Sequence, residues 1–179
     1  VKVVARSVAV AAVAVLAVGA GGLAASGCSG DDDDDVVDGT GLELSDEAQI
    51  TYHYGDSSVP PEYHRSYTLT IGPTEVHAVV DSYGDVLQDV TADLPAEVWD
   101  NLVADAGTVA ALGDEVAADD EGCAGGTSRS LEIVDGGETV VTESFGVCGG
   151  ANEAPAQALD GYIQPVLDAI PDWSALVAT

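Results

Sequence analysis

The chain predicts an α+β fold: an antiparallel sheet with two main helices packed on one face, in the order strands, helix, hairpin, helix. Three observations predict it. Apolar and polar residues alternate at period two in several short runs between residues 50 and 90, the spacing of half-buried strands. After Pro95 and again after Asn152 the apolar residues switch to helical spacing. Gly136-Gly137 then stands between two further extended runs, a strong hairpin signal because glycines supply the positive φ that tight β-turns need.

The elements follow in order. Ile50-Thr51-Tyr52-His53-Tyr54 alternates as a first strand, and Pro60-Pro61 marks a turn. Ser66 to Ile71 alternates again, with Tyr67, Leu69 and Ile71 on one face, until Gly72-Pro73 ends it. Glu75–Val80 and Gly84–Val90 are further strands, broken by turn chemistry around Asp81-Ser82-Tyr83-Gly84. Pro95 suits a first helical turn, where its missing N–H is not needed. Val98, Trp99, Leu102, Val103 and Ala106 recur at helical spacing, and Gly107 is placed to end that helix in a left-handed cap. Arg129–Asp135 and Glu138–Val147 form the hairpin. Asn152 is placed to cap a last helix running to Ile170, with Leu159, Tyr162, Ile163, Val166, Leu167 and Ile170 as its apolar stripe. Pro165 lies inside it and removes a hydrogen bond to Gly161, so a kink is expected.

The ends of the chain carry a different message. Lys2 and Arg6 form a short basic region, Val8–Val18 is an apolar run, and small residues lead to Leu23-Ala24-Ala25-Ser26-Gly27-Cys28. This is the three-part plan of a secretory signal. Its last residues resemble the lipobox of bacterial lipoproteins, with Ala25 standing where leucine is usual. The resemblance implies cleavage before Cys28, a diacylglyceryl thioether on that cysteine, and anchorage at the extracytoplasmic face of the cell membrane. Two or three acyl chains hold a protein stably, each buried methylene adding about 0.8 kcal/mol. An uncleaved membrane anchor and an ordinary secretory cleavage are the competing expectations, since Val8–Gly27 is about 20 residues long.

Residues 28–48 read as an acidic, disordered tether. Asp31–Asp35 is a run of five aspartates that repel one another and bury nothing. A calcium loop of EF-hand type fails on register: counted from Asp34, Gly39 falls sixth, but Val36 is third and Ser45 twelfth. Residues 49–179 are then a single globular domain of ordinary size. Its Pro60-Pro61-Glu62-Tyr63-His64-Arg65-Ser66-Tyr67 stretch and its Gly122-Cys123-Ala124-Gly125-Gly126 element resemble uncharacterised domains of small bacterial lipoproteins, a likeness that brings no activity with it.

Charge excludes several partners. The chain has 32 acids against four basic residues, a formal charge of −28. Cleavage would remove Lys2 and Arg6 and leave 32 acids against two arginines, a charge of −30. Such a surface does not bind nucleic acid or anionic lipid headgroups by electrostatics. It suits a salty habitat or a basic partner.

Cysteine arithmetic supports the anchor. Three cysteines are an odd number, and lipidation of Cys28 leaves Cys123 and Cys148 to pair as one structural disulfide in an oxidising compartment. No Cys-x-x-Cys spacing points to redox chemistry. His53, His64 and His77 show no short, regular ligand spacing and read as surface or half-buried residues, so no metal is predicted. Nucleophile elbows, Ser-x-x-Lys and phosphate-cradling glycine patterns are all missing from the sequence, so no cofactor is predicted and the catalytic residues stay unknown.

Arg65 and Arg129 stand out because the body has no other cation of fixed charge. Each is expected to pair with a carboxylate. The functional alternative is that Arg65 and Arg129, with His64 and Tyr63, read an anionic group in a small pocket lined by Tyr52, Tyr54, Tyr63 or Tyr67. The expected function is a tethered binding or interaction module for a protein or small molecule. An envelope hydrolase or metal-dependent enzyme using histidines and carboxylates is the second expectation.

Overall fold

The computed structural model describes residues 42–115 and 125–178. The chain runs through β1 (Gln49–Gly55), β2 (Ser66–Ile71), β3 (Glu75–Ser82), β4 (Asp85–Asp93), α1 (Ala96–Ala110) and a 3-10 turn at Leu112–Glu115. It continues through β5 (Thr127–Asp135), β6 (Glu138–Val147), α2 (Glu153–Ala169) and α3 (Trp173–Leu176). All six strands join one antiparallel sheet in the order β4-β3-β2-β1-β5-β6. The fold is α+β. Because β4 is an edge and β5 lies beside β1, the connection holding α1 passes back across three strands.

Register explains why the separate alternations make one core. Ile50 stands opposite Ile71 and Ile133, and Tyr52 opposite Leu69 and Leu131. Val76 and Ala78 continue the same two rows on β3. These eight side chains are fully or almost fully buried. They join Trp99, Leu102, Ala106 and Val109 of α1 and Leu159, Ile163 and Val166 of α2 in a single apolar cluster. Each large aliphatic side chain so buried stabilises by about 1.5–3 kcal/mol before entropy is counted. α1 and α2 pack on each other; α1 also packs on β6, and α2 on β5 and β6. The intervening strand residues, such as Thr51, His53, Thr68 and Thr70, are polar and half-buried.

The turns are set by local chemistry. Gly136 and Gly137 have φ of 57° and 84°, the left-handed pair that matches the twist of a two-residue hairpin. Between β3 and β4 the same job falls to Tyr83 and Gly84, with φ of 54° and 92°. The turn there is only two residues, so β3 runs two residues further than its alternation predicts, through Asp81 and Ser82.

Several expectations are corrected. Gly107 does not end α1; the helix passes through it to Ala110, because the buried stripe continues to Val109 and packing outweighs the glycine's helix cost of about 1 kcal/mol. Asn152 holds the N-cap position of α2 but caps with no side-chain bond. Its amide nitrogen instead donates to the Gly146 carbonyl at 3.0 Å, tying the helix start to β6. α2 is one helix of 17 residues, with Pro165 on its exposed side. The packed body also begins before Gln49. Leu42 and Leu44 lie against the core, Ala48 is buried, and the Ser45 hydroxyl and N–H both donate to the Asp135 carboxylate. Cys28, Cys123 and the first 41 residues lie outside the described residues.

Candidate functional site

At one end of β1, β2 and β5, three tyrosines and an arginine meet the inward edge of α2. Alternation puts Tyr52 and Tyr54 of β1 on the core side, and the register sets Tyr67 of β2 and Arg129 of β5 on either side of Tyr54. α2 brings Asp160, Ile163, Gln164 and Leu167 over them. Together these side chains line a cavity of about 210 Å³.

The polar centre of the cavity is Asp160. Its carboxylate accepts the Tyr52 hydroxyl at 2.6 Å and the Arg129 Nε–H across both oxygens at 3.1 Å. Arg129 Nη1 donates to the Thr127 hydroxyl, and the guanidinium lies 4.8 Å from the Tyr54 ring centroid. From there the rings continue. Tyr54 stacks on Tyr67 at 5.0 Å, and Trp173 of α3 meets Tyr67 edge-on at 4.9 Å. Edge-on and stacked pairs of this kind each add about 0.5–1.5 kcal/mol.

Burial and charge act together on these groups. Burial, helped by the hydrogen bond to Asp160, holds the Tyr52 phenol far above its ordinary range. Tyr67 is pushed up to about 12, chiefly by burial and then by Asp160. Burial also works against the Arg129 charge, but the hydrogen bond and charge of Asp160 outweigh it and raise its pKa. Arg129 is thus a fixed cation already matched to one carboxylate. The accessible charge is the opposite one: the Asp160 side chain is 40% exposed and that of Arg129 only 16%.

The other candidate residues do not join this cavity. Arg65 donates to the carbonyls of His64 (2.7 Å) and Ala178 (3.2 Å), fastening the C-terminal residues. Among the described residues its guanidinium has no carboxylate partner, and its backbone N–H donates to Asp56. Tyr63 is exposed on the turn after Pro60-Pro61. His64 is buried, stacked on Tyr83 at 3.9 Å, with Nε2 at 3.4 Å from the Ser66 hydroxyl. His77 pairs with Asp89 at 2.7 Å on β4. His53 sits on β1 with β2 between it and β3, so the three histidines do not converge. Among the described residues, no group of three or more His, Cys, Asp or Glu is arranged to hold a metal.

A second concavity of about 320 Å³ lies between α1 and α2, lined mostly by apolar groups such as Val109, Leu112 and Ala158, with Asp105 at its rim and Tyr162 donating to the Leu102 carbonyl. It has fewer convergent polar groups than the tyrosine cavity.

Asp160, Gln164, Thr127 and Trp173 are site residues that sequence reasoning missed. A signal for Asp160 existed: it lies four residues after Ala156 and three before Ile163, at the margin of the buried stripe of α2. Trp173 had none, because α3 is four residues long. No protein-family model matches this chain, and no curated protein matches it.

Proposed function

We propose that this chain is an exported lipoprotein whose α+β domain is a binding module, and that the tyrosine cavity takes a small organic cation. In this proposal lipid on Cys28 anchors the protein to the extracytoplasmic face of the cell membrane. Among the described residues no helix is long and apolar enough to cross a membrane. The two main helices cover one face of the sheet, as their shared core with alternate strand residues supports. Cys123 and Cys148 form the disulfide, which the hairpin register favours: Thr127 stands opposite Val147, one residue before Cys148 and four after Cys123. Closing that loop stabilises by about 3–3.5 kcal/mol in the chain-entropy model.

The observation that carries the ligand class is the Asp160 carboxylate, half-open to solvent among three tyrosine rings. Aromatic faces and a carboxylate are what ammonium groups bind. The anionic ligand that two arginines would have read is disfavoured, since Arg129 is committed to Asp160 and Arg65 lies elsewhere. The strongly negative formal charge, −28 for the chain and −30 after cleavage before Cys28, draws the same class of ligand.

Titration of the protein with tetramethylammonium and with acetate, followed by tyrosine side-chain NMR, tests this. Tetramethylammonium is expected to shift Tyr54 and Tyr67, and Asp160→Asn to abolish the shift. Binding of acetate in its place, or an unchanged response in Asp160→Asn, would refute the cation site. For the anchor, Cys28→Ser is expected to release the protein or leave an uncleaved precursor; a processed, membrane-bound variant refutes it.

A further inference from the structure

The tyrosine cavity holds two opposite charges in direct contact. The Arg129 Nε–H lies 3.1 Å from each oxygen of Asp160, so the pair is neutral as a unit. A lone cation set beside Asp160 also meets the Arg129 guanidinium. A lone anion set beside Arg129 meets the Asp160 carboxylate. Either brings an unmatched charge into a space where the Arg129 side chain is only 16% exposed, and a charge taken out of water without a partner is costly. A ligand that carries both charges avoids that cost.

The hydrogen bonds point the same way. Arg129 gives Nε to Asp160 and Nη1 to the Thr127 hydroxyl, and among the described residues its Nη2 has no hydrogen-bond partner. A guanidinium nitrogen in that state is a natural donor to a carboxylate. On the other side, Asp160 Oδ1 accepts the Tyr52 hydroxyl, while Oδ2 shares only the Arg129 Nε–H. A carboxylate oxygen has two acceptor positions, so Oδ2 has room for the positive end of a ligand. The two site charges are one hydrogen bond apart. A ligand facing both must therefore carry its own charges only a few bonds apart. Size agrees: a cavity of about 210 Å³ is about seven times the liquid volume of one water molecule, which admits a small molecule and no long chain.

We propose that the cavity takes a small zwitterion, with its ammonium against Asp160 and the tyrosines and its carboxylate against Arg129. This assignment rests on the cation reading of the cavity and adds the second charge.

The test compares trimethylglycine with its methyl ester, which keeps the ammonium and loses the carboxylate. Both are titrated against the full chain in sodium chloride at about 0.15 M, where the Debye length is about 8 Å. The acidic chain attracts the ester, a net cation, more than the neutral zwitterion, so a preference for trimethylglycine reports the local pair. Trimethylglycine is expected to bind about tenfold tighter, the scale of one charge-assisted hydrogen bond, and to move the Arg129 guanidinium resonances further than the ester does. In Arg129→Gln the preference is expected to disappear. Gamma-trimethylammoniobutyrate, whose charges lie further apart, is expected to bind no better than the ester. Ester binding as tight as that of trimethylglycine overturns the zwitterion and leaves the cation site standing. Binding of neither overturns both. A preference that survives in Arg129→Gln also overturns the zwitterion assignment, since the carboxylate would then be read elsewhere. The wild-type comparison decides even if that variant does not fold.

Discussion

Asp160 answers Tyr52 and Arg129 at once, so the consequences of changing either partner are unequal. Arg129→Ala leaves the carboxylate without its counter-charge and Tyr54 without the cation over its ring. With Asp160 partly solvated, the expected cost is about 1–2 kcal/mol by urea denaturation. Arg129→Lys is expected to recover little of it, because an ammonium cannot reproduce the Nε fork across both oxygens or the planar contact with the ring. Tyr67 carries a pH signature. Its folded phenol titrates at about 12, against about 10 for an unfolded tyrosine. Between those values the folded chain keeps a proton that the unfolded chain releases. Its contribution is therefore complete below about pH 10 and is lost as pH rises toward about 12. Chemical denaturation across that range is expected to show the fall, and Tyr67→Phe to make it shallower. Of these groups, the tyrosines and Arg129 were legible as candidates from composition and alternation. Asp160 was marked only by its place at the margin of the α2 stripe, which does not single out one carboxylate among 32 until the helix is docked.

The strands and hairpins were largely legible, and the helix ends were not. Period-two alternation and Gly-Gly are local signals, so β1, β2, β5 and β6 fall where the sequence puts them. Gly107 and Asn152 misled because each is a local preference that tertiary contacts override: burial of Val109 extends α1, and Gly146 claims the Asn152 amide. The Tyr83-Gly84 turn shows a local cost offset by packing. A tyrosine at φ 54° is unfavourable by about 1–2 kcal/mol, while its ring stacks on His64 and its hydroxyl donates to the Val59 carbonyl at 2.6 Å. Tyr83→Gly removes both the cost and the contacts. Global stability is then expected to change by less than about 1 kcal/mol, while hydrogen exchange of residues 59–64 accelerates. Unchanged exchange there would mean that Tyr83 does not hold the turn.

Across the whole molecule, 32 acids against four basic residues make self-repulsion a standing cost. Salt screens it over a Debye length of about 10 Å at 0.1 M. The melting temperature is expected to rise as sodium chloride is added from low ionic strength, most steeply at the start, and a flat response would show that the charges are already compensated. The same screening is expected to weaken ligand binding at Asp160.

By itself the sequence determined the fold class, the hairpins, the acidic field and the residues able to form a tyrosine site, because each is written in local spacing or in composition. The tertiary structure alone decided that Arg129 meets a carboxylate in the tyrosine cavity while Arg65 lies apart from it, that Asp160 supplies that carboxylate, that the histidines stay apart, and that β4 is an edge of the sheet. Those outcomes depend on strand order and on the docking of α2, which bring together residues as much as 108 positions apart and which no short-range pattern encodes.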